Sequence, residues 1–256
     1  MKHDWVLYIA AFSTAFAISN VMTPVAKKIS LKLGAIDMPK ARGMHKKPMP
    51  RMGGIAIVAG FTLTVLLLYN FTEYSDMHKL TGYFIGAAMI VVLGMVDDVK
   101  NLPAKFKFAV QILAALVAVA FGIRIHIVMW PVTYALLKLS IPITVIWIVG
   151  LTNAVNLIDG LDGLATGVSS IAAICIMVLC ILTGDETSVV LTAALAGSCL
   201  GFLPRNFNPA EIFMGDTGAT FLGYTLAVTS ILGVFKGYAM IALMVSVLAV
   251  GFPIFD

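Results

Sequence analysis

Charge is scarce in this 256-residue chain: Asp, Glu, Lys and Arg make up 12% of it, about half the share usual in soluble domains. With 60% hydrophobic residues and a mean hydropathy of +1.00, there is too little polar surface to face water, which excludes an ordinary soluble domain. Cysteine is almost as rare. Cys175, Cys180 and Cys199 lie in apolar stretches without CxxC or Cys/His spacing, so a zinc site or a disulfide framework has no basis and the three read as small hydrophobes. Low-complexity segments, long linkers and repeats of 20 to 50 residues are missing as well, so a single transmembrane domain over 1–256 is expected. No small-residue cleavage site follows the first apolar run, which leads instead into a basic loop and is expected to be retained as a helix.

What is present is a series of apolar windows, approximately 5–25, 53–69, 80–96, 106–122, 141–158, 164–183, 187–203, 217–234 and 237–255. Each is long enough to cross or nearly cross about 30 Å of hydrocarbon. The expected class is an all-α, polytopic integral membrane protein with about nine transmembrane helices. Placing the N-terminus outside puts Lys27, Lys28, Lys32, Lys40, Arg42, Lys46, Lys47, Arg51, Lys100, Lys105, Lys107 and Arg205 inside, leaving Lys2, Lys79, Arg124, Lys138 and Lys236 outside. Twelve cations against five sets the orientation by the positive-inside rule. The net charge of +4 then describes a cytoplasmic membrane face and not a nucleic-acid surface. Between Arg124 and Leu139, an external loop or interfacial piece is expected around Pro131, with a short strand suggested by the alternation of Ile123, Ile125 and Ile127.

The same topology gathers the notable acidic motifs inside: Asp97-Asp98, the string Asn153-Ala-Val-Asn156-Leu-Ile-Asp159-Gly160-Leu-Asp162-Gly163, Asp216 and Asp256. Asp4, Glu73, Asp76, Asp185 and Glu186 remain outside in short loops and read as ordinary solvated groups. Adjacent carboxylates at Asp97-Asp98 repel unless something positive separates them, either a divalent cation or side chains such as nearby Lys107. Lys107 and Gln111 stand one turn apart at the start of the fourth window and can share a face, though a lysine there can also simply snorkel. In the Asn153–Asp162 string polar groups recur every third residue, a slowly turning face able to wrap a ligand, while Gly160 and Gly163 suit a broken helix end. Helix capping with interhelical hydrogen bonding is the plainer alternative.

Asn208-Pro-Ala-Glu-Ile-Phe213-Met-Gly-Asp216-Thr-Gly-Ala219 sets an aromatic beside an acid before a helix. Phe213 can stack on a flat base while Asp216 holds a metal, or the phenyl ring can anchor the interface. His45-Lys46-Lys47-Pro-Met-Pro-Arg51-Met-Gly-Gly54 offers positive charge and a glycine entry to the second window, suited to phosphate. Attraction to anionic lipid is the competing role.

Taken together, HKKPMPRMGG, Asp97-Asp98, NAVNLIDGLDG and NPAEIFMGDTGA resemble, in order and in membrane side, the polyprenyl-phosphate N-acetylhexosamine-1-phosphate transferases over nearly the whole chain. Pro-Arg in PRMGG is more similar to the UDP-GlcNAc branch than to the phospho-MurNAc-pentapeptide branch, which tends to carry Pro-Thr. The resemblance implies a bacterial plasma-membrane enzyme that transfers N-acetylglucosamine-1-phosphate from UDP-GlcNAc, a UDP-N-acetylhexosamine, to undecaprenyl phosphate. The products would be undecaprenyl-diphosphate-GlcNAc and UMP, the first membrane step of a teichoic acid or of an O-antigen lipopolysaccharide. It further implies Mg²⁺, with Mn²⁺ as a substitute, held by Asp216 and Asn156. Asp97, Asp98 and Lys107 would be catalytic, and Asn153, Asp159, Gly160, Asp162, Phe213, His45, Lys46, Lys47 and Arg51 would bind substrate.

Family members usually continue past Asp256 into an inside loop with a His-rich motif and further helices, so the resemblance implies that the C-terminal part of the family fold is missing here. A phospho-MurNAc-pentapeptide transferase, an inactive lipid-binding fragment and a membrane transporter are the competing readings. Transport sites normally sit near the midplane between repeated halves, whereas these motifs crowd one boundary.

Overall fold

The computed structural model describes residues 4–38, 48–72, 76–125 and 133–233. These form eight α-helices: α1 (Trp5–Leu33), α2 (Gly54–Leu67), α3 (Met77–Lys100), α4 (Ala104–Ala120), α5 (Thr133–Ile158), α6 (Leu164–Thr183), α7 (Glu186–Asn206) and α8 (Gly215–Gly233). A two-residue ribbon pairs β1 (Ile36–Asp37) antiparallel with β2 (Met49–Pro50), in the register Ile36 to Pro50 and Asp37 to Met49. Each of the first eight apolar windows coincides with a helix. The window at 237–255 lies outside the described residues, as do His45, Lys46, Lys47 and Asp256.

By length and composition, α1, α3, α6, α7 and the Leu139–Ile158 part of α5 can cross a membrane. That makes five spans among the described residues where the windows suggested more. α2 has only 14 residues, about 21 Å of rise. α8 is rich in Thr, Ser and Gly because it is enclosed by protein rather than lipid. Its hydroxyls bond within the bundle: Thr229 donates to the Thr225 carbonyl at 2.8 Å, Ser230 to Ala227 at 2.7 Å, and Thr225 pairs with the Tyr83 hydroxyl at 3.0 Å. A buried hydroxyl without a partner costs several kcal/mol in hydrocarbon, so self-bonding lets a polar helix sit at the centre.

α7 and α8 form that centre, α7 against α1, α2 and α6, and α8 against α3, α5, α6 and α2. Gly197 and Gly201 fall one turn apart on α7, and a Cβ on either would strike the carbonyl of Phe12 or Phe16. The small-xxx-small pattern therefore brings α1 into backbone contact. Asn20 secures the approach by donating to Gly201 at 3.2 Å, while Arg205 donates to the Asn20 carbonyl at 2.8 Å.

Two sequence expectations around α5 are corrected. α5 starts at Thr133 and absorbs half of the proposed 124–139 loop. The expected strand is absent over its described part, Ile123 to Ile125, because the Ile125 amide donates to the Thr144 hydroxyl (2.9 Å) and its carbonyl accepts from Ser140 (2.7 Å). With both backbone groups taken by α5, no strand partner is needed.

Consecutive helices run in opposite directions, so the two ends of the bundle differ. At one end Asp4, Asp76 and Asp185, read from sequence as plain solvated acids, cap α1, α3 and α7 through the amides of Leu7, Lys79 and Ser188. Lys79, 2.8 Å from Asp76, also holds that carboxyl below its usual range. At the other end the acids converge instead.

Candidate active site

Asp97 and Asp98 occupy the last turn of α3 and are both buried. Neighbouring helical residues point about 100° apart, so the two carboxylates meet different partners. Asn101 ends α3 in the left-handed conformation, φ 48°, and lets the chain turn so that the Leu102 amide donates to Asp97 at 2.6 Å. Pro103 starts α4, and Lys107, one turn on, reaches back to Asp97 at 2.7 Å and across to Asp216 at 3.3 Å. Asp98 turns toward α8, accepting from the Asp216 amide (2.9 Å), the Thr217 amide (3.1 Å), the Thr217 hydroxyl (2.6 Å) and Arg51 Nε (3.3 Å).

The basic segment and the Asp216 segment meet through backbone. Phe213 donates to the Pro50 carbonyl at 2.8 Å, Gly53 to Phe213 at 2.9 Å and Gly54 to Met214 at 2.8 Å. Gly215, at φ +72°, lets the chain swing into α8, and a Cβ there would collide with the Arg51 carbonyl and the Asp98 carboxylate. Gly54 packs on the Gly218 backbone and Gly94 on Thr217, so glycines bring α2, α3 and α8 within reach of one another. Arg51 also reaches the Asn101 side chain at 3.4 Å.

The Asn153–Asp162 string divides at the end of α5. Asn153 and Asn156 are helical, whereas Asp159 and Asp162 lie in the turn between Ile158 and Leu164. The slowly turning face is therefore helical only over its first half. Asn153 donates to Gln111 on α4 at 2.6 Å and to the Val149 carbonyl at 2.8 Å, tying α5 to α4. Asn156 is half-buried. Asp162 accepts from the Ala210 amide at 3.0 Å and so holds the loop before Phe213. Gly160 is exposed with open space around it, and Gly163, at φ +72°, opens α6. Phe213 is half-buried beside Asp216.

Asp159 completes the electrostatics. Burial, then repulsion from Asp216 and Asp98, pushes its carboxyl well above the usual range, while Arg51 and the Gly215 amide act in the other direction. Among the described residues, Asp97, Asp98, Asp159 and Asp216 face two cations, Lys107 and Arg51, so the acids outnumber the bases by two. No trio of His, Cys, Asp or Glu stands ready as a cation site among the described residues. Mg²⁺, however, usually takes one or two carboxylates and completes its shell with water and phosphate. This acid-rich cluster fits such an ion in charge and donor type.

The structure thus brings together Asp97, Asp98, Lys107, Asp159, Asp216 and Arg51. It adds residues that sequence reasoning did not select. Thr217 and Asn101 organise the two sides of the acid pair. Asn206, buried, accepts from Thr166 at 2.7 Å and donates to the Ile212 carbonyl at 3.1 Å, fixing the loop below Phe213. A Thr immediately after the acid in Gly-Asp-Thr-Gly was the one available signal, since a helix-start hydroxyl commonly bonds a neighbour.

The sequence pattern of Glycosyl transferase family 4 matches residues 80–234, which include every residue of this cluster except Arg51. A Bacillus subtilis protein described as a probable undecaprenyl-phosphate N-acetylglucosaminyl 1-phosphate transferase is 41% identical over 251 residues, covering 97% of this chain and 69% of its own. A decaprenyl-phosphate N-acetylglucosaminephosphotransferase of Mycolicibacterium smegmatis is 36% identical over 85% of this chain and 58% of its own. A phospho-N-acetylmuramoyl-pentapeptide-transferase of Caldanaerobacter subterraneus is 35% identical over 88% and 73%. The chain spans from under three-fifths to nearly three-quarters of these relatives. With the pattern matched across α3 to α8 and the Bacillus relative aligned almost end to end, the chain belongs to Glycosyl transferase family 4, a membrane-bound group of glycosyl-1-phosphate transferases.

Proposed function

We propose that the chain transfers N-acetylglucosamine-1-phosphate from UDP-GlcNAc to undecaprenyl phosphate at the cytoplasmic face of a bacterial membrane, as the first lipid-linked step of a cell-envelope polysaccharide. The observation that carries this reading is Lys107 bridging Asp97 and Asp216 at the bundle end where the basic, acidic and aromatic motifs meet. An oxygen of the lipid phosphate attacks the β-phosphorus of the UDP-sugar. The bond from that phosphorus to the oxygen bridging to the α-phosphate breaks, and UMP leaves with the bridging oxygen.

Such a transfer asks for alignment and charge neutralisation more than for covalent chemistry. Lys107 places a cation on the reacting phosphate, and Asp97 orients Lys107 and accepts a proton from a protonated lipid phosphate. Bound Mg²⁺, with Mn²⁺ as a substitute, would supply charge neutralisation of the diphosphate. Asp216 and Asn156 would hold it, with Asp159 at its edge. Phe213 stacks on uracil, while Asp162, Gly160 and Asn153 line and brace the nucleotide side. Arg51 fixes the inner wall, and His45, Lys46 and Lys47, which lie outside the described residues, would supply positive groups for substrate phosphate. Cytoplasmic placement rests on the twelve-to-five distribution of Lys and Arg with the N-terminus outside.

The decisive assay offers UDP-GlcNAc and, separately, UDP-MurNAc-pentapeptide to the protein in vesicles containing undecaprenyl phosphate and Mg²⁺. UMP release with UDP-GlcNAc alone is expected. Release with the pentapeptide donor alone would move the chain to the muramoyl branch, and uptake of intact UDP-GlcNAc without UMP would make it a transporter.

A further inference from the structure

The two adjacent carboxylates are not chemically equivalent. Asp97 bonds the Leu102 amide and Lys107, a partly exposed partner that it shares with Asp216. Asp98 is enclosed, with its side chain wholly buried, and all four of its donors come from protein: two amides and one hydroxyl at the start of α8, and the Arg51 guanidinium. An ionised carboxylate has about four acceptor directions, so Asp98 has none left for a metal or a phosphate.

The local sequence explains why α8 needs it. The first amides of a helix lack intrahelical partners and are usually capped by Ser, Thr, Asp or Asn just before the first turn. Here those places hold Met214 and Gly215, neither of which has a side-chain oxygen to accept from those amides, and Gly215 admits no side chain without striking Arg51 and Asp98 themselves. The cap comes instead from α3, a residue 118 positions away from Asp216. Asp216 is thereby held by its own backbone: the amide that Asp98 grips belongs to the residue whose carboxylate meets Lys107.

We propose that Asp98 is a positioning residue and not a catalytic one: with Thr217 as its partner it caps α8 from α3 and sets the direction of the Asp216 carboxylate, leaving Asp97 as the member of the pair that meets substrate. This inference rests on the reading of Asp216 as the cation-holding residue. Backbone order at the start of α8 and the strength of cation binding are then set by Asp98 and Thr217, whereas turnover at saturating cation is set by Asp97.

The test compares Asp97→Asn, Asp98→Asn, Thr217→Val and Thr217→Ser in detergent-purified protein. Hydrogen exchange over residues 213–220 reads the lock, Mn²⁺ titration by electron paramagnetic resonance reads the cation, and UMP release reads turnover. Thr217→Val removes one hydrogen bond to a charged group and should weaken Mn²⁺ binding about tenfold. It should also speed exchange at the Asp216 and Thr217 amides, with excess cation restoring most of the turnover. Thr217→Ser should return all three readouts toward wild type. Asp98→Asn should act like Thr217→Val but more strongly, and Asp97→Asn should lose turnover at any cation concentration with exchange unchanged. Asp98→Asn with unchanged exchange and turnover that no cation restores would overturn the proposal by making Asp98 a group that touches substrate. If exchange responds as expected but wild type binds no Mn²⁺ and releases no UMP, the lock stands and the functional reading fails.

Discussion

Replacing Lys107 with Met keeps the length of the side chain and deletes its charge, and the two ion pairs it makes determine what should follow. The ammonium stands 2.7 Å from Asp97 and 3.3 Å from Asp216, with the Asp97 side chain 2% exposed and the Lys107 side chain 26% exposed. Removing one partner of a buried pair typically costs about 3 to 5 kcal/mol, since the other charge stays buried. The partial exposure of Lys107 admits water and argues for the lower end, about 3 kcal/mol. The cation-free variant should therefore melt at a lower temperature in detergent.

Cation binding should move the other way. Lys107 occupies an oxygen of Asp216, so its removal frees a donor and increases the local negative charge, and Mn²⁺ should bind the variant at least as tightly as the wild type. Turnover should nevertheless fall about 10²- to 10³-fold, the usual cost of losing one charged stabiliser of a transition state. Paired measurement of UMP release and of Mn²⁺ affinity by electron paramagnetic resonance separates these effects. Turnover within tenfold of wild type, or loss of Mn²⁺ binding in parallel with turnover, would refute the assignment of Lys107 to substrate charge.

Other perturbations test other walls of the site. Asp159→Asn removes a carboxyl whose pKa is raised, so its ionisation opposes folding: the penalty is absent below the unfolded pKa and fully present above the folded one. The variant should thus gain melting temperature at neutral pH and lose that gain in acid; destabilisation at neutral pH without cation would contradict the repulsion argument. Phe213→Ala should raise KM for UDP-GlcNAc about 5- to 150-fold with little change in kcat, from about 1 to 3 kcal/mol of base stacking; an unchanged KM would remove the stacking role. Gly54→Ala drives a methyl group into the Gly218 backbone and should cost about 3 kcal/mol or more by overpacking, seen as poor recovery of folded protein; a melting temperature equal to wild type would show that α2 and α8 are not in close contact.

The helices were legible because a membrane asks for long apolar runs, and each of the first eight windows contains a helix core. Their true ends were less visible. α5 begins at Thr133, before its apolar window, and its Ser140 and Thr144 satisfy the Ile125 backbone, a pairing that no apolar run displays. The two-residue ribbon is too short to show any alternation.

Within the site, charge scarcity made Asp97, Asp98, Asp159 and Asp216 stand out, and Lys107 stood out by its neighbours. Their division of labour did not, because it depends on contacts across long stretches of chain: Asp98 to Thr217, Arg51 to Asp98, Asn153 to Gln111. Asn153 illustrates the difficulty. The same amide that can line a cavity can equally brace two helices, and only the 2.6 Å contact with Gln111 displays the bracing.

The central claim is that a phosphoryl group, and not a sugar alone, moves at the cluster of Asp97, Lys107 and Asp216. UDP-GlcNAc labelled with ³²P at the β-phosphate, given to the protein in vesicles with undecaprenyl phosphate and Mg²⁺, follows that group directly. The account predicts label in the organic-soluble lipid and unlabelled UMP in water. Label retained in water as UDP, with the sugar alone passed to lipid, would contradict it.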